Sequence, residues 1–280
     1  MKLLASLIFF TRLPWWRLRP VPKEAFEHVV DYWPLVGWLT GGVMAFAYLF
    51  ASALGFAPMV AALLAIGARL LLTGALHEDG LADFCDGFGG GVTRERTLMI
   101  MKDSHIGTYG VLGLVLYFGL LWASLCQPLP LPSLKEGVSF PLMAENLSAP
   151  LRSGWGWAVL ILFFDVAAKS AASLITGQQP YARTAEGAKN QVVYVGRSLR
   201  GWLMHGLRCI IAIALPLALC CLSGYPQVIA LLPIPFVVEL LLMLWMRRRL
   251  GGYTGDCCGA LFLLCELSLY LSLPLLFLGG

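Results

Sequence analysis

Long apolar stretches separated by short polar breaks run through most of this chain. Seven of them fall near residues 33–54, 58–76, 107–126, 155–176, 203–222, 227–246 and 259–278. Each approaches the roughly 20 residues a helix needs to cross a bilayer. None carries the polar face expected of a helix packed on a soluble core. The expected fold is therefore all-α, a polytopic integral membrane bundle of about seven transmembrane helices in a single domain, 1–280. Breaks at Gly55–Pro58 and Ser223–Gln227 close two helical hairpins, and the proline-rich 127–154 connection reads as irregular. Residues 1–14 are too short to span and run into Arg12, Trp15 and Trp16, which suit the headgroup zone. This segment reads as interfacial or re-entrant.

Composition agrees with the pattern. The chain has 280 residues, of which 59% are hydrophobic and 13% charged. A soluble domain averages about 25% charged residues. Mean hydropathy is +0.77. The eight cysteines form no C-x-x-C pair and lie mostly in apolar segments. They read as small, soft hydrophobes, with neither a disulfide framework nor a zinc site expected.

The net charge of +4 matters less than its placement. Lys135 and Arg152 are the only basic residues in the loops of one face; the other eighteen of the twenty lie in loops of the opposite face or on helices, mostly near that face. The positive-inside rule then puts the N-terminus in the cytoplasm and the C-terminus on the periplasmic or external side.

Candidate chemistry gathers in four stretches on the expected cytoplasmic face. In the first, Asp79, Asp83 and Asp86 are spaced i, i+4, i+7, which places three carboxylates on one helical face. Hard oxygen ligands grouped in this way suit Mg²⁺, which binds through a few carboxylates and substrate phosphates. In the second, Asp103 is positioned to complete a metal shell, Lys102 and His105 to meet phosphate, and Gly107 and Gly110 to admit close backbone approach. The third holds Arg183, whose planar fork matches phosphate oxygens. In the fourth, Gly251 and Gly252 expose backbone N–H groups suited to phosphate, and Thr254 and Asp256 follow.

Arg69, Asp165, Glu239 and Glu266 are ionisable residues inside apolar spans, and so functional candidates by default. Asp165 and Lys169, spaced i, i+4, are expected to pair with each other. Acidic ligands, basic clamps and Gly-rich turns on one face imply metal-assisted phosphate chemistry at a membrane surface. The residues alone do not name the substrate.

These stretches resemble the cobalamin synthase family, the adenosylcobinamide-GDP ribazoletransferases. The pieces fall in order along nearly the whole chain: Phe10–Pro14, Pro34–Gly37, Thr73-Gly74 with His77, and Asp79–Asp83 with Asp86-Gly87. Ile100–Ser104 with Gly107-Thr108, Ala182-Arg183 with Glu186-Gly187, and Gly251-Gly252 with Thr254–Asp256 and Gly259-Ala260 follow. The early aspartate run together with the late Thr-Gly-Asp turn is the specific part.

The resemblance implies Mg²⁺-dependent transfer of phosphocobinamide from adenosylcobinamide-GDP to α-ribazole or its 5′-phosphate, releasing GMP. It implies Asp79, Asp83, Asp86, Asp103 and Asp256 as metal-holding and catalytic residues. Lys102, His105, Arg183, Gly251, Gly252, Thr254 and Glu266 are expected toward the substrate and its phosphates. Expected partners are these substrates and the lipid bilayer, with a homo-oligomer or a complex of B12-assembly enzymes also open; nucleic acid is not expected. The chain departs from the family pattern at Glu78, at His105 and in the loop after Arg183. Membrane phosphotransferases of the CDP-alcohol type, prenyltransferases of the UbiA type, and a transporter are the competing readings.

Overall fold

A computed structural model describes residues 1–129, 149–183 and 196–277 of the chain. Most of the 127–154 connection, and Glu186, Gly187 and Lys189, lie outside the described residues. Eleven α-helices are described: α1 (Lys2–Phe10), α2 (Trp33–Ala53), α3 (Pro58–Thr73), α4 (Leu76–Gly90), α5 (Arg94–Ile100), α6 (Thr108–Leu125), α7 (Ala149–Ala172), α8 (Ile175–Gln178), α9 (Leu199–Leu222), α10 (Pro233–Leu250) and α11 (Gly255–Ser272). Short 3-10 turns join several of them, and one lone parallel bridge links Tyr181 to Tyr253. The all-α bundle expected from the apolar pattern is what forms.

Six helical segments are long and apolar enough to cross a membrane, and a seventh candidate is bent. That seventh differs from the straight span expected at 58–76. Pro58 starts α3 at a position where its missing N–H costs nothing. Gly74 (φ 66°) then ends it in the left-handed region, and Ala75 (φ 56°) continues the reversal. Two successive left-handed residues turn the chain by 91° into α4. The aspartate run therefore lies across the end of the bundle instead of continuing the span.

α7 is the central helix, buried along most of its length and enclosed by α2, α9, α10 and α11. Small residues let α2 approach it. A Cβ on Gly41 would stand 2.8 Å from the Cβ of Asp165, and one on Gly37 would stand 3.0 Å from its Oδ1. Such spacing is how membrane helices reach backbone contact without bulky side chains between them. α6, α9 and α10 turn Leu112, Val115, Ile210, Ile211, Leu240 and Leu241 outward, exposed, as lipid-facing helices do.

Within the bundle lies a layer of charged groups. Lys169 pairs with Asp165 as the i, i+4 spacing anticipates, and its ammonium sits 3.8 Å from the centre of the Phe262 ring. Arg69 pairs with Glu266, stands 3.8 Å from Asp165 and 4.0 Å from Glu78, and donates to the Tyr117 hydroxyl at 2.7 Å. Glu266 was expected to face substrate, and the structure corrects this. Its carboxylate is fully buried, held by Arg69 and by the Tyr117 hydroxyl at 3.2 Å. An unpaired charge in this interior is strongly disfavoured, so the carboxylate is used to balance Arg69.

Candidate active site

The two glycine-containing motifs meet at the end of the bundle. α4 and α11 pack so closely that a Cβ on Gly80 would stand 3.0 Å from the Asp256 carbonyl oxygen. A Cβ on Gly259 would stand 2.9 Å from the His77 carbonyl oxygen. Each motif thus supplies the glycine that admits the other's backbone. Asp79 and Asp256 come to line one cleft as a result, with His77 beside them.

A third segment closes that cleft. The Ala182 N–H donates to the Tyr253 carbonyl at 2.7 Å, and the Tyr253 N–H donates to Pro180 at 3.2 Å. Gly252 permits this pairing, because a Cβ there would stand 2.2 Å from the Pro180 carbonyl oxygen. The bridge delivers Tyr181 and Arg183 to the cleft wall. Arg183 reaches within 4.0 Å of the Asp256 carboxylate and donates to the Leu98 carbonyl at 3.0 Å. The Tyr181 hydroxyl accepts from the Gly255 N–H at 3.2 Å, and burial pushes its pKa up to about 12. Arg94, absent from the expected set, ties the frame together through bonds to Leu250 and Ala182.

The opposite wall is aromatic. Arg12 donates its backbone N–H to Leu72 at 2.7 Å and packs its side chain on Gly74, docking the N-terminal segment on the α3–α4 corner. Phe9 and Phe10 of α1 reach the cleft this way. The rings of Phe10 and Trp33 stack at 5.0 Å, and Trp33 stacks on His77 at 5.5 Å. The one signal for this wall in the sequence is the aromatic doublet ending an otherwise interfacial helix, and nothing local ties it to the site.

The expected residues are otherwise divided. Asp83 lies one turn beyond Asp79 on α4 and is half-buried. Asp86 lies two turns along α4 from Asp79 and does not line the cleft. Its two oxygens accept the backbone N–H groups of Gly107 at 2.7 Å and Gly110 at 2.8 Å, capping the start of α6. Gly107 and Gly110 admit this aspartate, at positions where a Cβ would meet its carboxylate. Asp103 and His105 border a second groove with Asp86, apart from the cleft. Their side chains are 58% and 90% exposed, and they bond to each other at 2.7 Å. Hydrogen bonds from His105 hold the Asp103 carboxyl below its ordinary pKa. Lys102 is exposed and borders neither the cleft nor this groove.

Three residues expected to touch phosphate have structural work instead. Gly251 (φ 69°) ends α10 in the left-handed region, and its N–H is taken by the Arg247 carbonyl at 2.9 Å. Gly252 makes the close approach to Pro180. Thr254 is fully buried and caps α11 through the Cys257 N–H at 3.3 Å. Likewise, the five-aspartate shell is not assembled: among the described residues no three His, Cys, Asp or Glu side chains converge on one metal position. The cause is distance along the helix: Asp86 lies about 10 Å beyond Asp79 on α4, where α4 meets α6 and not the cleft.

Two carboxylates and a guanidinium from three distant segments line one cleft of a bundle whose helices are long and apolar enough to cross a membrane, an arrangement suited to a membrane transferase acting on phosphate groups. Its family follows from comparison with known proteins. The cobalamin-5-phosphate synthase family model, CobS, matches residues 2–274. An adenosylcobinamide-GDP ribazoletransferase of Leptothrix cholodnii is 37% identical over 275 residues, covering 95% of this chain and 92% of the relative. Relatives of that name from Shewanella amazonensis and Vibrio parahaemolyticus are each 34% identical, over 98% and 96% of this chain and 94% and 90% of their own. The chain belongs to the CobS family. No solved structure matches it. The CDP-alcohol, UbiA-type and transporter readings are set aside by a match of this length.

Proposed function

We propose that this chain transfers phosphocobinamide from adenosylcobinamide-GDP to α-ribazole or its 5′-phosphate, in a Mg²⁺-dependent reaction that yields adenosylcobalamin or its phosphate and GMP. This places it in the late nucleotide-loop assembly steps of B12 synthesis. The reading is carried by the convergence of Asp79, Asp256 and Arg183 in one cleft within a chain of this family. The cleft is assigned to the cytoplasmic face of a bacterial inner membrane, supported by the basic residues that crowd that end.

The donor set fits Mg²⁺, which takes one or two carboxylates and fills its remaining positions with water and substrate phosphate. Asp79 and Asp256 are the residues that would hold it, with Asp83 one turn away. Bound there, the ion supplies charge neutralisation on the diphosphate. Arg183 adds a fixed positive charge, ready for the phosphoryl oxygens. Its position is set by the Leu98 carbonyl and by Asp256. A hydroxyl of the ribazole ribose attacks the phosphorus bonded to cobinamide, the bond to GMP breaks, and a cleft carboxylate takes the hydroxyl proton. The Tyr181 phenol stays protonated and neutral across physiological pH, and its hydroxyl steadies the start of α11 at Gly255.

The test is turnover by purified protein in liposomes, with adenosylcobinamide-GDP, α-ribazole and Mg²⁺. Cobalamin and GMP should appear together, and EDTA should abolish both. Correctly inserted protein that forms neither product would defeat the assignment.

A further inference from the structure

The cleft has two chemically different ends. One is lined by Asp79, Arg183 and Asp256. The other is lined by Phe9, Phe10, Val30, Trp33 and Leu76. At this second end Phe10, Trp33 and His77 form a set of near-parallel rings, within 19° of one another. Phe9 stands edge-on to Phe10 at 5.0 Å, half-buried at the cleft surface. Two polar atoms here, Nε1 of Trp33 and Nε2 of His77, are buried without a hydrogen-bond partner, so neither faces the open cleft.

We propose that the apolar end of the cleft is the binding site for the base of the attacking nucleoside, with Phe9 and Leu76 as its specificity-determining walls. This rests on the transferase reading given above. Whatever lies against Phe9 and Leu76 meets apolar surface and must be poor in hydrogen-bonding groups. Guanine fails, because its edge carries several donors and acceptors, and burying them unpaired is costly. The corrinoid ring system carries peripheral amide groups, which would be left unpaired against the same apolar surface. The base of α-ribazole is a flat aromatic ring with no exocyclic donor, so it can lie against Phe9 and Leu76 without leaving a polar group stranded. Asp79 and Asp256 line the same cleft, so a base held there keeps its ribose in the space where the hydroxyl must react. The cleft thus sorts its two substrates by polarity: ring at the aromatic end, diphosphate at the charged end.

Two measurements test this. The first is equilibrium binding of α-ribazole alone to purified protein by calorimetry, which needs no turnover. Phe9→Ala should weaken it about tenfold, in line with base–aromatic stacking energies. Phe9→Leu, which keeps apolar volume without the flat face, should fall between wild type and alanine. Guanosine should bind far more weakly than α-ribazole. The second is steady-state kinetics, in which Phe9→Ala should raise KM for α-ribazole while KM for adenosylcobinamide-GDP stays unchanged. A rise in KM for adenosylcobinamide-GDP instead would assign that end to guanine and overturn the proposal. Unchanged α-ribazole binding in a folded Phe9→Ala protein would also overturn it. Absence of turnover in a wild type that binds α-ribazole at Phe9 would count against the reaction and leave the base site standing.

Discussion

Gly80 on α4 lies tight against the backbone of Asp256: a Cβ would stand 3.0 Å from the carbonyl oxygen, close enough that the two backbones would have to give. The reciprocal contact, Gly259 on His77, is as tight. This pair of contacts sets the spacing of the cleft's two carboxylates. Gly80→Ala and Gly259→Ala should each cost about 1–3 kcal/mol through overpacking. They should also depress turnover more than stability explains, because separating α4 from α11 separates Asp79 from Asp256. Thermal inactivation in detergent, set beside kcat, checks both effects.

The division of the aspartates gives a graded series. Asp79→Asn and Asp256→Asn should each lower kcat by about 10²-fold or more, the usual scale for lost electrostatic stabilisation of a transition state. Asp103→Asn removes only an exposed partner of His105 and should change kcat by less than about fivefold. Equal losses in all three would return Asp103 to the reacting site. Mg²⁺ titration of each variant provides the second readout.

Asp86 is predicted to act through stability. Both its oxygens cap α6, so Asp86→Ala should cost about 1–2 kcal/mol, the range for a lost helix cap. The Mg²⁺ concentration for half-maximal rate should not move. A large shift in that concentration would make Asp86 a metal ligand after all.

The buried ion-pair layer should respond asymmetrically. Glu266→Leu leaves Arg69 short of one partner, at a cost of about 3–5 kcal/mol. Arg69→Met should be worse, since Glu266, Asp165 and Glu78 all lean on that guanidinium while Asp165 alone keeps Lys169. Comparing the melting temperatures of both variants in one detergent decides the order.

Tyr181 gives a pH dependence. Its folded pKa is raised to about 12 by burial, above the ordinary tyrosine value near 10. Its contribution to stability is therefore complete below about pH 10 and is lost as pH rises toward 12. Tyr181→Phe should flatten stability across that alkaline window and leave it unchanged in shape below. Thermal melts collected against pH make the comparison.

Some of this molecule was written along the chain. The spans, the hairpin breaks and the Asp165–Lys169 pair are local, set by runs of apolar residues and by i, i+4 geometry that any helix imposes. The family was legible because the aspartate run and the Thr-Gly-Asp turn keep their residues and order. What only the tertiary structure decided is which chemistry-bearing residues share a space. Asp79 and Asp86 read as equivalents on one helical face, yet one lines the cleft and the other caps α6, because seven residues along a helix is two turns and meets a different neighbour. Glu266 reads as a site residue, and it is consumed by Arg69 from 197 positions away. Phe9 and Phe10 read as membrane anchor, and they wall the cleft because Arg12 docks on a corner made by two left-handed residues. A side chain's partners are set by the packing of helices, and hydrophobic periodicity carries no information about which helix will be next to which.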